Sequence, residues 1–501
     1  MLRGVNIARP GSFGLSTQQD IAEEDEQQRF ASVATNGIID NSGKLVSRQD
    51  FVLQTAGFAG TPKQIYTHRN ADGTDTILSS AGGVIYSGIA TLTSRYDYSG
   101  TITTDNFQFA SLTGKIFFAQ AGAGPKVLNE TDFVEESFTG APWTNSPNVL
   151  LAGDGRLWAA DDAAGSNRYT VWWSNLLDGK VWNAGDAGSI NVRKAFPKGH
   201  DSIMAIAILS GRLVIFGRHS ILLYTQAATH DPDSMELTDV VENVGCMARD
   251  SVLVAGGDLY FLYDDGVYRI PRLAQITSLI SLDKVSKNVA DDLVTDYASE
   301  TLTQVRAGFY PKEGIYVLNA PTANKCWVFH TKRPVPTGED SVVVPAVTSW
   351  TNVGVPFYGF TYDKDGNWYT AMRTGIGKYT GYTPDGASNA YNFEVFSQWT
   401  AWGDETRLKH LKSYAMTLEA ASGQTGTFKW LTDYVQGTTN AISFTCDSTE
   451  FAEDPGIGTV KGAIGRSCNV TKFGFTMAVD GDKIGAHALR VYAQPGKTKV
   501  K

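Results

Sequence analysis

Cysteine is scarce in this 501-residue chain: Cys246, Cys326, Cys446 and Cys468 are the four, with no C-x-x-C spacing. That excludes a disulfide scaffold and the paired-thiolate zinc motifs, and suits buried thiols in a reducing compartment; a Cys446–Cys468 disulfide is left open. Histidine is thin as well. The seven, among them His68, His200, His219, His330 and His410, never stand four residues apart, so no helical metal-binding pair is present. No apolar run reaches the roughly 18 residues a membrane helix needs, and no charged-then-apolar leader opens the chain. The expectation is a soluble protein with no membrane span, made in a cytoplasm. Basic charge is not in excess: 43 Lys and Arg against 52 Asp and Glu give −9, which argues against a nucleic-acid platform. The P-loop, G-x-S-x-G, H-E-x-x-H and dinucleotide fingerprints are missing. The chain is therefore expected to have no catalytic residues, no cofactor and no metal site, and not to be an enzyme.

Glycine and aromatic residues, in contrast, are plentiful, and they recur in one pattern. A glycine and then an apolar-aromatic run appear at Gly83-Val84-Ile85-Tyr86, Gly114-Lys115-Ile116-Phe117 and Gly155-Arg156-Leu157-Trp158. The pattern returns at Gly211-Arg212-Leu213-Val214, Gly257-Asp258-Leu259-Tyr260, Gly314-Ile315-Tyr316-Val317 and Gly366-Asn367-Trp368-Tyr369. The seven glycines are 31, 41, 56, 46, 57 and 52 residues apart, close to the roughly 40–50 residues of a four-stranded propeller blade. Glycine takes the positive φ of a tight hairpin turn without steric cost, and the β-branched and aromatic residues after it suit a buried strand. The reading is an all-β chain built on a β-propeller of about six or seven blades, with an antiparallel sandwich as the alternative.

Residues 1–60 stand outside the repeat and read as an N-terminal arm and platform segment. Within it, Glu23 to Ala34 reads as one or two helical turns, with Glu23, Glu24, Asp25 and Glu26 as an acidic solvated or interfacial patch. Asn36 to Arg48 reads as strand, turn, strand. Residues 61–393 carry the repeats, and Lys284 to Ala298 is either a short helix or a long connection. From 394 to 501, alternation over Lys412–Glu419, Gly426–Tyr434, Val470–Val479 and His487–Ala493 predicts a separate antiparallel β domain. Asp447 to Gly465 is taken as a polar loop, and Lys497 to Lys501 as a loose basic tail.

Local candidates for chemistry are few. Thr361-Tyr362-Asp363-Lys364-Asp365-Gly366-Asn367-Trp368 partly resembles the Asp-box turn of sialidase propellers but departs in its glycine–tryptophan spacing. A plain hairpin turn is the simpler reading, and the later ligand positions of a calcium loop are wrong. Trp172, Trp173 and Trp182 form either a packed blade interface or a sugar-stacking platform. Asn129 and Asn469 head formal glycosylation sequons.

Several segments, in order, carry a family resemblance. Gly14-Leu15-Ser16-Thr17-Gln18, Phe30 to Asp40 and Gly43 to Arg48 spell an A-x-N-G-x-x-D … G-x-L-x-x-R opening. Asp154 to Ala159 with Tyr169 to Ser174, Ser202 to Thr225, and Gly245 to Val252 leading into Gly257–Ile270 continue it. Together they resemble the podovirus tail nozzle, or tubular tail protein B, over roughly residues 14–270, with 366–434 similar in texture. The resemblance implies a structural virion protein of the tail, assembled in the host cytoplasm, whose six copies form a homo-oligomeric ring below the portal and its adaptor. It further implies contact with tail fibres or other tail proteins, and a central channel through which double-stranded DNA leaves without specific binding. Six copies would carry about −54 formal charges, and a negative wall repels duplex phosphates. Two other readings compete: a carbohydrate-binding or sialidase-like propeller, and a propeller protein-interaction scaffold.

Overall fold

A computed structural model describes residues 3–18, 29–98, 100, 102, 104–162, 165–197, 201–225, 232–272, 281–337, 343–351, 355–386, 390–403, 405–435, 440–447, 449–452 and 456–498. Antiparallel strands dominate it. The Gly-led hairpins form because each turn takes a positive φ while its flanks are apolar and β-branched or aromatic, so successive strands pair as four-stranded meanders.

The first sheet comprises Pro62–Arg69, Asp75–Ala81, Val84–Ser87 and Thr93–Asp97. The second is Gln108–Leu112, Lys115–Gln120, Ala123–Asn129 and Glu135–Glu136. The third is Pro147–Gly153, Arg156–Asp162, Thr170–Trp173 and Gly188–Asn191. Ile203–Leu209, Arg212–Gly217, Ser220–Thr225 and Glu236–Glu242 make the fourth. Leu253–Ala255, Asp258–Tyr263, Gly266–Ile270 and Asp283–Lys284 make the fifth. A sixth meander, Ala307–Tyr310, Ile315–Ala320, Lys325–Pro336 and Val343–Thr351, opens a nine-stranded sheet. The last sheet is Phe357–Tyr362, Trp368–Met372 and Gly375–Tyr379, completed by Phe51–Thr55 from the N-terminal segment.

Each sheet packs on the next, and the last packs on the first. Leu78 and Ile85 meet Ile116 and Phe118 between the first and second sheets. Phe117 and Val127 meet Leu157 and Trp172 between the second and third. Further round, Ile65 and Ile77 of the first sheet share a core with Tyr369, Ala371 and Ile376 of the last. Burial on both faces explains why the middle strands are nearly continuous apolar runs instead of alternating ones. The result is a β-rich, propeller-like ring of small sheets.

The rest is a second unit woven from both chain ends. Its first sheet orders Gly37–Ile39, Leu45–Ser47, Gly485–Thr498, Arg407–Ala420 and Gly456–Cys468, with Arg3–Ala8 also paired to Gly485–Thr498. Its second continues the nine-stranded sheet: Val343–Thr351 is followed by Ala31–Thr35, Tyr391–Ser397, Thr471–Val479, Thr425–Thr432 and Asn440–Thr445. The link is one parallel bridge, Thr35 to Ser349. Between the two sheets Tyr414 stacks on Phe428 with ring centroids 3.9 Å apart, inside a core that runs on to Tyr316, Trp327 and Phe329 of the sixth meander. The ring and the second unit therefore share one hydrophobic core.

Several local expectations change. Ala31–Thr35 is a strand, not the end of a helix, because pairing with Tyr391–Ser397 overrides local propensity. Glu23, Glu24, Asp25 and Glu26 lie outside the described residues. Within the stretch read as a polar loop, Gly456–Cys468 is a 13-residue strand along Arg407–Ala420. Thr498 of the expected loose tail pairs with Arg407. Of the two readings for Lys284 to Ala298 the helix holds, as Ala290–Ala298. Cys446 and Cys468 are free buried thiols; burial pushes them up to about 11 and about 12. Among the described residues no helix is long and apolar enough to cross a membrane.

Candidate functional site

All seven leading glycines lie in hairpin turns, with φ between 68° and 99°. Six of them join the first and second strands of a sheet, whereas Gly83 joins the second and third strands of the first sheet. The matching turn there holds Gly73, φ 81°, which stands 41 residues before Gly114. The short 31-residue interval in the sequence thus reflects a step to a different hairpin. Gly73 escapes the pattern because Thr74-Asp75-Thr76 follows it in place of an apolar run. At the Asp363 turn the carboxylate is engaged within the hairpin: Oδ1 accepts the N–H groups of Asp365 and Asn367 at 3.0 and 2.8 Å.

The most concentrated polar cluster sits where the first strands of several sheets converge. Arg249, on a turn before the fifth sheet, donates to the Asn148 and Asn106 side-chain oxygens at 2.8 and 3.0 Å, and pairs with Asp250 at 2.8 Å. Arg306, just before Ala307–Tyr310, donates to the Asp105 carbonyl at 3.1 Å and the Asn106 side chain at 3.2 Å. Its Nε lies 3.5 Å from Asp250, and the residue is 3% exposed. Burial holds its guanidinium down to about 10 although Asp250 opposes the shift. Asp105 accepts the N–H groups of Gly82 and Gly83 at 2.8 and 2.9 Å, tying the first sheet to the same knot. The cavity beside it, lined by Gln64, Tyr66, Gln108, Asp250 and Arg306, measures about 150 Å³, room for several waters and no large ligand. The knot thus joins residues from the first, second, third, fifth and sixth sheets or their leads. The sequence reading missed these residues because their partners come from distant sheets.

A second buried knot ties the ring to the second unit. Arg48 donates to Asn36 at 3.0 Å and to both oxygens of Asp385, and lies 3.9 Å from the Tyr391 ring centroid. Burial lowers its pKa but Asp385 more than compensates, leaving it raised. Beside it, burial pushes Asp50 up to about 6. Both Asn36 and Arg48 belong to the A-x-N-G … G-x-L-x-x-R segment, whose role here is to hold Gly37–Ile39 and the closing strand in place.

Two surfaces remain. Gly456–Cys468 is the outer strand of its sheet, and among the described residues no strand pairs with its outer side. Lys461, Ala463, Gly465, Arg466 and Ser467 along it are exposed. Between the first and last sheets a cleft of about 550 Å³ is lined by Asp75, Arg95, Phe133, Asp363 and Lys364. Trp172, Trp173 and Trp182 are instead buried at 5% exposure or less, so they form a packed interface and not a stacking platform.

No known protein-family profile matches the chain, and no curated protein does. Among solved structures, the extracellular domain of a hybrid two-component system from B. thetaiotaomicron is similar at TM-score 0.44 and 12% identity, over 80% of this chain and 48% of that one. A streptogramin B lyase is similar at TM-score 0.37 and 16% identity, over 66% of this chain and 96% of the lyase. The chain spans about half the length of the first of these. At this distance neither likeness bears on activity or partners.

Proposed function

We propose that this chain is the ring-building nozzle protein of a short-tailed phage: a seven-bladed propeller set on a two-sheet platform, six copies of which close below the portal and adaptor. The observation that carries the reading is the free edge of Gly456–Cys468. A long unpaired strand is a template for pairing with another chain, and natural proteins ordinarily cover or shorten such edges. Repeated head to tail on successive copies, a contact of this kind closes into a ring. The woven platform supports the role, because the core shared with the sixth meander lets load pass from ring to propeller without a flexible linker. In such a ring DNA would travel between copies, past a wall whose acidic balance disfavours sticking. Tail fibres or other tail proteins would then meet the outward-facing propeller.

Light scattering and negative-stain microscopy of the purified chain, alone and with a portal–adaptor complex, test this. A six-fold ring, or six peripheral lobes recruited to the portal, is the expected result. A stable monomer of about 54 kDa that ignores the portal overturns it. The alternative of a glycan-binding propeller is favoured by the cleft at Asp75, Arg95 and Asp363, and binding of an oligosaccharide lost on Arg95→Ala would select it.

A further inference from the structure

The interface between the first and second sheets holds a serine, a histidine and a carboxylate in sequence. Tyr66 and His68 stand two apart on Pro62–Arg69 and so share a face. Across from them, Ser111 lies on Gln108–Leu112, and Glu130 follows Ala123–Asn129. His68 Nδ1 is 2.7 Å from Ser111 Oγ and His68 Nε2 is 2.8 Å from a Glu130 oxygen. The other Glu130 oxygen accepts the Ala71 N–H at 3.0 Å. A Cβ on Gly114 would stand 3.2 Å from that same oxygen, so the hairpin glycine makes room for the carboxylate.

The proton positions follow from what each group can do. A carboxylate only accepts, so Nε2 of His68 carries a hydrogen and donates it to Glu130. In the neutral ring Nδ1 is then an acceptor, and the hydroxyl that faces it is Ser111's. Tyr66 donates to Ser111 Oγ at 2.9 Å, which leaves the serine proton directed at the imidazole. Burial raises the Tyr66 pKa despite the Ser111 hydrogen bond, so the phenol stays a donor. His68 is 1% exposed while Ser111 is partly open to solvent. A sheltered base hydrogen-bonded to a half-buried hydroxyl is the core of the arrangement that nucleophilic catalysis uses.

We propose that Ser111 is an activated nucleophile that takes the acyl group of a small carboxylic ester, with His68 as general base and Glu130 as the positioning residue. Oγ bonds to the acyl carbon as its proton passes to His68 Nδ1. The ester C–O bond breaks, and the leaving alkoxide takes that proton as an alcohol. Water then attacks the acyl-serine by the same route, delivering a proton to His68 and returning it to Oγ, and the acid is released. No outside oxidant or reductant enters. This activity is independent of ring assembly.

An alkyl fluorophosphonate probes the site directly: Oγ bonds to phosphorus, fluoride leaves, and the serine proton goes to His68. The expected result for the full chain is one adduct, mapped to Ser111 by peptide mass and absent in Ser111→Ala. His68→Gln should slow labelling by on the order of 10²-fold or more, and Glu130→Gln should slow it while the melting temperature stays within a few degrees. If the His68 variant fails to fold, the wild-type chain with p-nitrophenyl acetate still decides. A burst of p-nitrophenol equal to the chain concentration, blocked by prior fluorophosphonate, supports the assignment. No adduct on wild-type Ser111, an adduct elsewhere, or wild-type labelling of a folded His68→Gln overturns it.

Discussion

His330 is fully buried in Lys325–Pro336, its Nε2 3.0 Å from Thr348 Oγ1, whose own proton goes to the Gly37 carbonyl at 2.9 Å. Burial first, and the Arg333 charge second, hold its pKa down to about 3, below the ordinary 6.5. A depressed pKa means that the unfolded chain takes up the proton first. Stability from this site is whole above pH 6.5 and is lost as pH falls toward 3, by about 2 kcal/mol at pH 5. Asp50, raised to about 6, and Glu313, raised to about 7, work in the opposite direction, losing stability as pH climbs through 4 to 7. The His330 share is therefore isolated by difference: His330→Gln should flatten the fall in denaturation free energy between pH 7 and pH 5, measured by urea titration. At another residue, Gly257→Val places a β-branched side chain at φ 99° and should cost about 1–3 kcal/mol, read as a lowered melting temperature.

Among the elements, Phe51–Thr55 is the one on which ring closure rests. Phe51 is fully buried, with its ring 4.7 Å from Phe357, 5.5 Å from Trp368 and 5.1 Å from Tyr379. Phe51→Ala should cost about 3–5 kcal/mol, and protease should then cut the last sheet first, which limited proteolysis with mass mapping would reveal. Much of the ring was legible in the chain because each hairpin signals itself locally, by a glycine and the apolar run beside it. What failed to show was tertiary. Phe51 lies in a segment without the repeat, and its strand pairs with Gly375–Tyr379, more than 300 residues away in the chain. Gly456–Cys468 concealed itself because an edge strand has one solvated side, and because the Phe451 ring covers Gly458 while Ile457 points out, which reverses the expected alternation. The Arg249–Arg306 knot and the Ser111–His68–Glu130 set bring together residues from different sheets, and no short spacing announces either.

For the whole molecule, assembly should separate from folding. Ile457→Lys with Ala463→Lys adds charge to the free edge at two exposed positions, a device by which natural edges resist pairing. If the proposed ring closes through this edge, the double variant should melt within a few degrees of the parent yet stay monomeric by light scattering where the parent assembles; an intact ring would move the proposed subunit contact elsewhere. The closing strand has a consequence in time as well. Val52 pairs with Lys378, so a ribosome working N-terminus first must add about 330 residues before the latch has anything to grip, roughly 15–65 s at 5–20 residues per second. Throughout that interval the nascent ring is an open arc with apolar surface at both ends, and its yield in a cell would depend on what shields those ends until the last sheet arrives.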